Sequence, residues 1–493
     1  MFWSNSRENR REAWGYEFDW TPEHLTAEQL RPLMFSYDVL ATECLDVFDQ
    51  LSSISSPSTT TASNISSRRT TRSTTKSTSQ ETTTSTNNVT TSDEQETKKR
   101  QGQCPHPDLY ALLSKHHASN PTLAKLWTEI HTVPSWVDWP QIARGQKVFY
   151  RYAGPSIVSL TFQSLLGGMG SRRVVETLAR TGGFGINVAR RRLLETFQHI
   201  LDVTDGLESI KPDGKGFQSS MRVRFLHASV RRRIMRLTTS SSTSSSSYYD
   251  INEWGIPISD LDCIATVITF SATLVWMGFP RQGIFLWRQE IEDYIALWRW
   301  IAHILGTPTD HLASPEKAKA VMESLLLSEI DPTETSQVLA SNIIEGLKEQ
   351  PPTYASADFL RAEAYWLNGS KLSEALKLPR PSWWYNMLVA GQCLFFMTFC
   401  YMKRSVGAWD ERSIVKLRVL LRKMTLDQTD GQEAEFAFQY VPSLGKFTTA
   451  GTARSNVIDG KKSVERRNLL TVVVASAVVG CTAAWVARSC AFF

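Results

Sequence analysis

The sequence predicts an all-α protein with one folded domain over roughly residues 105–425 and a membrane-crossing helix near the C-terminus. Apolar residues recur every three or four positions in segments such as PSIVSLTFQSLLGGM, SRRVVETLARTGGF and NVARRRLLETFQHILDV. This spacing is typical of helices that bury one face, and no convincing series of alternating strands accompanies it. Apolar residues make up 42% of the 493 residues, which is enough for a sizeable core.

Polar tracts set the limits of the predicted domain. Residues 1–50 are expected to form a helical extension. The Ser/Thr-rich stretch over residues 51–103 is expected to be a disordered linker, because it has almost no large apolar side chains to bury. A second tract, TTSSSTSSSS, predicts a flexible surface loop over residues 238–248.

The C-terminal run LLTVVVASAVVGCTAAWVA, residues 469–487, contains no charge. A helix of this length is about 28 Å long, close to the ~30 Å hydrocarbon core of a bilayer. Cations are more frequent on its N-terminal side, in the juxtamembrane segment 426–468, so the positive-inside rule places the domain in the cytosol. Seven cysteines without a CxxC pair agree with reduced thiols there. The alternative is a buried C-terminal helix.

A second apolar run, WWYNMLVAGQCLFFMTFCYM, covers residues 383–402. Asn386, Gly391 and Gln392 interrupt it, so we expect a buried or membrane-grazing helix rather than a second membrane span.

The segment MRVRFLHASVRRRI, residues 221–234, places His227 among five arginines. Three interpretations compete: a solvated basic face, a surface for an anionic polymer, and a cofactor site. The net charge of the chain is only +5, which argues against a general nucleic-acid binder.

On a helix, Arg224, His227 and Arg231 share one face. A haem iron takes an axial imidazole, and the two propionates of haem need cationic or hydrogen-bonding partners. The three side chains therefore suit a haem site, and like-charge repulsion keeps His227 neutral, as a metal ligand must be. Local spacing by itself still favours a solvated cationic face.

A second helical segment, RRRLLETFQHILDV, adds polar groups. Arg192 and Thr196 are four residues apart, and Glu195 lies beside them. Glu176, on the preceding helix, is expected to pair with Arg192 over a cofactor; the alternative is an ordinary ion pair on a helix surface.

Five fragments in order resemble one catalytic domain. They are VPSWVDWPQIARGQKVFYRYAG, the helix with Arg192 and Thr196, RVRFLHASVRRRI, GIPISDLDCIATVITFSATLVWMG and EDYIALWRWIAHILGTP. The set is similar to the domain shared by bacterial rubber oxygenases (latex clearing proteins) and the ER-bound oxygenase of mycophenolic acid biosynthesis. The resemblance covers about residues 120–400.

The resemblance implies a globin-related helical fold with haem b, and O₂-dependent cleavage of a carbon–carbon double bond in an isoprenoid chain. It also implies that His227 is the proximal iron ligand and that Glu176, Arg192 and Thr196 are catalytic. One departure is Glu195, which stands where rubber oxygenases have a distal lysine.

The resulting hypothesis is a membrane-anchored, haem-dependent oxygenase in the endoplasmic reticulum, acting with O₂ on a lipophilic, isoprenoid substrate. Two alternatives remain: a haem peroxidase or oxidase in the same pocket, and a non-enzymatic interaction protein whose basic segment meets anionic lipid headgroups. No nucleic-acid partner is expected, and the oligomeric state is left open.

Overall fold

The computed structural model describes residues 9–55, 108–181, 184–240, 248–429, 431, 433, 448–452 and 463–490. Helices dominate this part of the chain, in agreement with the predicted all-α class. The predicted linker from residue 56 onward, residues 241–247 of the Ser-rich loop and most of the juxtamembrane segment lie outside the described residues.

The N-terminal region departs from the predicted helical extension. Strands β1 (Arg10–Ala13) and β2 (Tyr16–Asp19) form an antiparallel hairpin. Trp14 and Gly15 between them both have positive φ, 54° and 81°, the geometry of the tight turns that fit the twist of a hairpin. The WG pair within an alternating run is the local signal that the helical prediction missed.

Within the described residues, ten helices lead up to and include the long basic segment. They are α1 (Ala27–Leu30), α2 (Val39–Ser55), α3 (Leu109–His116), α4 (Pro121–His131), α5 (Trp139–Arg151), α6 (Ala153–Ser159), α7 (Arg172–Arg180), α8 (Ile186–Thr204), α9 (Leu207–Ile210) and α10 (Lys215–Ser240). Helix α2 extends five residues into the predicted linker, and α10 continues into the predicted Ser-rich loop. A π-helix, Leu160–Leu166, follows α6 directly.

The remaining helices complete the domain and the C-terminal segment. They are α11 (Ile251–Trp254), α12 (Asp260–Phe270), α13 (Phe279–Arg281), α14 (Arg288–Ile304), α15 (Pro315–Ser328), α16 (Glu334–Leu347), α17 (Ala357–Ala375), α18 (Trp383–Arg404), α19 (Gly407–Gln428) and α20 (Val464–Cys490). A second π-helix, Leu274–Gly278, precedes α13. Short 3₁₀ turns cover Arg31–Met34, His117–Ser119, Gly167–Gly170 and Asp310–Leu312.

Close packing of α5 on α14 anchors the larger of the hydrophobic clusters. A Cβ added to Gly145 would lie 2.2 Å from the backbone oxygen of Asp293, so only glycine permits this approach. Beside it, Arg144 donates two hydrogen bonds of 2.8 Å to the Asp293 carboxylate. A second cluster forms around α16, α17 and the first half of α18.

Three helical segments are long and apolar enough to cross a membrane by length and composition: 260–281, 383–404 and 464–486. The protein buries much of the first and part of the second, but none of the apolar window in the third. Helix α20 instead exposes Leu470, Val473, Val474 and Val478, and it packs against α18. Its exposed face has no protein partner among the described residues.

Candidate active site

A cavity of about 770 Å³ lies between α7, α8, α10 and α12. Its size is within the range of small-molecule and cofactor sites, roughly 300–1,000 Å³. Most of its lining side chains are apolar, and the first π-helix contributes Thr161 and Phe162 to the wall. Helix α12 contributes Thr266–Phe270 to the wall, and Thr273 follows it.

His227 lines this cavity from α10. The imidazole makes no hydrogen bond and no ion pair with any described residue. Burial, together with the positive charges of Arg231 and Arg192, lowers the pKa of His227 to about 4. The ring is therefore neutral near pH 7 and has a lone pair available, which is the state that binds a metal.

Helix α8 brings Arg192 and Thr196 to the same cavity, one turn apart. The guanidinium of Arg192 has no hydrogen-bond or ion-pair partner in the described part of the chain, and burial lowers its pKa. Glu195 also lines the cavity, but Arg191 donates a 3.0 Å hydrogen bond to its carboxylate. The cavity thus contains a cation without a carboxylate partner, beside a neutral imidazole.

A second cavity histidine, His199, was missed by the sequence analysis. It is buried on α8 and lines the cavity, with its Nδ1 3.0 Å from the Ser219 hydroxyl. Burial, with a smaller effect of His227, lowers the pKa of His199 to about 4. The sequence did contain a signal for His199. Its spacing from Arg192 and Thr196, at i, i+4 and i+7, indicates that the three residues share one helical face.

Arg224 and Arg231 do not line the cavity, contrary to the predicted propionate contacts. The guanidinium of Arg224 donates to Asp38 at 2.7 and 3.0 Å and to Glu129 at 2.9 Å. Arg231 donates a 2.8 Å hydrogen bond to the backbone oxygen of Ile258. Arg224 and Arg231, three residues before and four residues after His227, lie beside it on the helix. They are on the side of the helix that faces the N-terminal region.

Other arginines of the basic segment are also paired with carboxylates. Arg222 lies 2.6 Å from Asp108, and Arg232 lies 2.9 Å from Asp46. These contacts hold α10 against α2 and α3. They therefore do not favour the interpretation of the basic segment as a free surface for anionic lipid.

Glu176 does not pair with Arg192 and does not line the cavity. Its carboxylate bonds Arg180, one turn further along α7, and that guanidinium lies over the ring of Trp254 at 4.5 Å. The face of α7 that reaches the cavity instead carries residues 174, 177, 178 and 181. Sequence spacing predicted the helix but not the direction in which the carboxylate points.

No group of three or more His, Cys, Asp or Glu side chains among the described residues converges as a metal-ligand set. A haem does not need such a set, because the porphyrin supplies most of the ligands and the protein adds an axial imidazole. An unpartnered imidazole and an unpartnered guanidinium in an apolar cavity fit this group.

Comparison with known proteins identifies the domain that builds the cavity. No curated protein sequence matches the chain. A solved structure of latex clearing protein in the closed state is 17% identical, covers 61% of this chain and 79% of its own, and superposes with a TM-score of 0.47. The family model for the ER-bound oxygenase mpaB/B'/rubber oxygenase catalytic domain matches residues 150–394, which include His227, Arg192, Thr196 and His199. This segment, just under half of the chain, is similar to the catalytic domain shared by ER-bound oxygenases and rubber oxygenases.

Proposed function

We propose that the protein is a membrane-anchored, haem-dependent oxygenase that acts with O₂ on a lipophilic, isoprenoid substrate. The observation that carries this proposal is the unpartnered, neutral imidazole of His227 in an apolar cavity of the oxygenase domain. Similarity to this catalytic domain supports the reaction class, and the cavity supports the type of substrate.

His227 would hold haem b through its iron, and the bound haem would supply a redox-active centre for the reaction of dioxygen with the substrate. The depressed pKa keeps the imidazole unprotonated across the neutral range, so no proton competes for its lone pair. The apolar walls exclude water from the reacting groups.

Arg192 would hold negative charge inside the cavity, either an anionic group of the cofactor or charge that develops as dioxygen is reduced. A cation in an apolar, water-poor site interacts more strongly with such charge than it would in water. Thr196 faces the same space one turn away and can donate a hydrogen bond from its hydroxyl. Arg224, Arg231 and Glu176 have no part in this site, because their side chains are bonded elsewhere.

Helix α20 supports membrane attachment. Its exposed apolar face is long enough to cross the hydrocarbon core. Its first turns carry the cations Arg466 and Arg467, which support a cytosolic position of the domain. An enzyme tethered in this way lies beside the phase in which an isoprenoid chain dissolves. The endoplasmic reticulum is the membrane that this similarity favours.

The test is an absorption spectrum of the full chain in detergent, supplied with haem during expression. We expect a Soret band that is lost or shifted in His227→Ala but keeps its position in His199→Ala, the matched control from the same cavity. No band in the parent protein would refute the haem proposal, and a band shifted only by His199→Ala would assign the ligand to His199.

Products then separate the reaction types. With an isoprenoid substrate, incorporation of both atoms of labelled O₂ into carbonyl products supports oxidative cleavage. Turnover with peroxide and none with O₂ would contradict the oxygenase proposal and favour a peroxidase.

A further inference from the structure

A groove runs along α20 and adjoins the central cavity. Its walls are the exposed side chains of Leu394 and Thr398 on α18 and of Leu470 and Val474 on α20. Several residues line both spaces, among them Arg467. The groove and the cavity therefore adjoin, and the shared residues form the boundary between them.

A polar cluster lies where the groove meets the cavity. The side chain of Gln392 donates a hydrogen bond to the buried carboxyl of Glu363, and its oxygen accepts from Arg467 and Asn468 at 3.3 Å. Glu363, Gln392 and Arg467 all line the central cavity. This cluster belongs to helices α17, α18 and α20.

The cluster is cationic overall. Burial raises the pKa of Glu363 to about 8, so this carboxyl keeps its proton at neutral pH. Arg467 makes no ion pair with any residue that the structure describes, and its hydrogen bonds go to neutral amide oxygens. Arg467 therefore carries a positive charge at the boundary of the cavity, while the nearby Glu465 carboxylate accepts a hydrogen bond from the backbone N–H of Ser356.

The position of this charge along α20 matches a membrane interface. Arg466 and Arg467 immediately precede the uncharged run that begins at Leu469, and cations at such a boundary remain at the level of the lipid headgroups. Leu470 and Val474, further along the same groove, would lie at the depth of the acyl chains. A molecule with an apolar chain and an anionic end fits this arrangement.

We propose that the groove between α18 and α20 is the entrance through which a single-chain amphiphile passes from the bilayer into the cavity, and that Arg467, with Gln392 and Glu363, holds its carboxylate end. This inference rests on the proposed function for the membrane position of α20 and for a lipophilic substrate. It adds the route of entry and the charge of the substrate, neither of which the site around His227 specifies.

Photolabelling of the full chain in phosphatidylcholine vesicles tests the entrance. The probe is a long-chain carboxylic acid with a diazirine at the far end of its chain, and mass spectrometry measures its attachment to peptides of α8 and α10 inside the cavity. Thr398→Trp places a large side chain in the groove and is expected to reduce this interior labelling at least severalfold. Met402→Trp, exposed on the same helix but outside the groove, is the matched control and should leave it unchanged.

The methyl ester of the same probe tests the charged end. Arg467→Gln is expected to weaken interior labelling by the acid about tenfold, the size of one lost charge-assisted hydrogen bond, without changing labelling by the ester. Arg466→Gln removes an equal charge from a residue that lines the groove but not the cavity, and should have little effect. Addition of phosphatidylserine should not displace the acid; displacement would assign the charge to a phospholipid headgroup and overturn the proposal.

Interior labelling that is equal in the parent and Thr398→Trp would refute the entrance. This failure is distinct from failure of the proposed function, because the Soret band reports haem binding, whereas the effect of Thr398→Trp on labelling is measured against the parent protein whether or not haem is bound. If the protein binds no haem but Thr398→Trp still reduces interior labelling, the result would support the entrance and refute the haem site.

Discussion

The two cavity histidines make the haem-free protein less stable in mild acid. For His227, the pKa is about 4 in the folded protein against 6.5 for the free side chain, so the unfolded chain binds more protons between these values. Stability therefore falls as the pH drops through 6.5 and stops falling near 4. Proton linkage over this window gives a loss of about 2 kcal/mol per histidine between pH 7.5 and pH 5.0, and His199 has the same printed pKa.

Urea unfolding of the haem-free chain at the two pH values measures this loss, and the substitution His227→Leu isolates the contribution of one imidazole. The variant should lose about 2 kcal/mol less than the parent between pH 7.5 and pH 5.0. Val223→Ala, on the same helix and lining the same cavity, carries no titrating group and should change stability equally at both pH values. An identical acid-dependent loss in His227→Leu and the parent would show that the imidazole is not held neutral by burial.

Three further substitutions test the packing and charge arguments. Arg224→Met leaves the Asp38 carboxylate without its ionic partner, so we expect a loss of about 3–5 kcal/mol in the free energy of unfolding, with the position of the Soret band unchanged. Gly145→Ala places a Cβ against the Asp293 backbone oxygen and should cost at least about 1–3 kcal/mol, measured by urea unfolding. Arg192→Leu removes a buried cation that has no partner among the described residues, so it should increase the free energy of unfolding of the haem-free protein by roughly 1–2 kcal/mol and raise its melting temperature. The same substitution should lower oxygenase turnover. A lower melting temperature for Arg192→Leu would mean that this guanidinium has a structural partner.

The chain order of the helices and the main candidate residues could be predicted from the sequence. Apolar periodicity indicates helices at the positions of α6 to α8, α10 and α14, because one buried face requires an apolar residue every three or four positions. The polar spacing of Arg192 and Thr196 placed them on one face, and both line the cavity. The N-terminal hairpin was missed, because a two-residue turn with positive φ is a weak signal beside a long helical pattern.

The direction of individual side chains could not be predicted in the same way. Arg224 and Glu176 both lie on the expected helices, yet Arg224 bonds Asp38 and Glu176 bonds Arg180. A guanidinium or carboxylate takes the partner that other segments bring within hydrogen-bond distance, and those segments are far apart in the chain. His199 shows the reverse case, since its isolated position in the sequence does not reveal that it shares a cavity with His227.

The sequence by itself determined the helical class, the apolar C-terminal segment and a short set of candidate polar residues, because these depend on local composition and periodicity. Only the tertiary structure decided that His227 and Arg192 line one cavity without partners among the described residues, that Arg224 and Glu176 are bonded elsewhere, and that a groove beside α20 adjoins the cavity. The physical reason is that burial, charge pairing and cavity shape arise where several helices meet, and each helix alone leaves those contacts undefined.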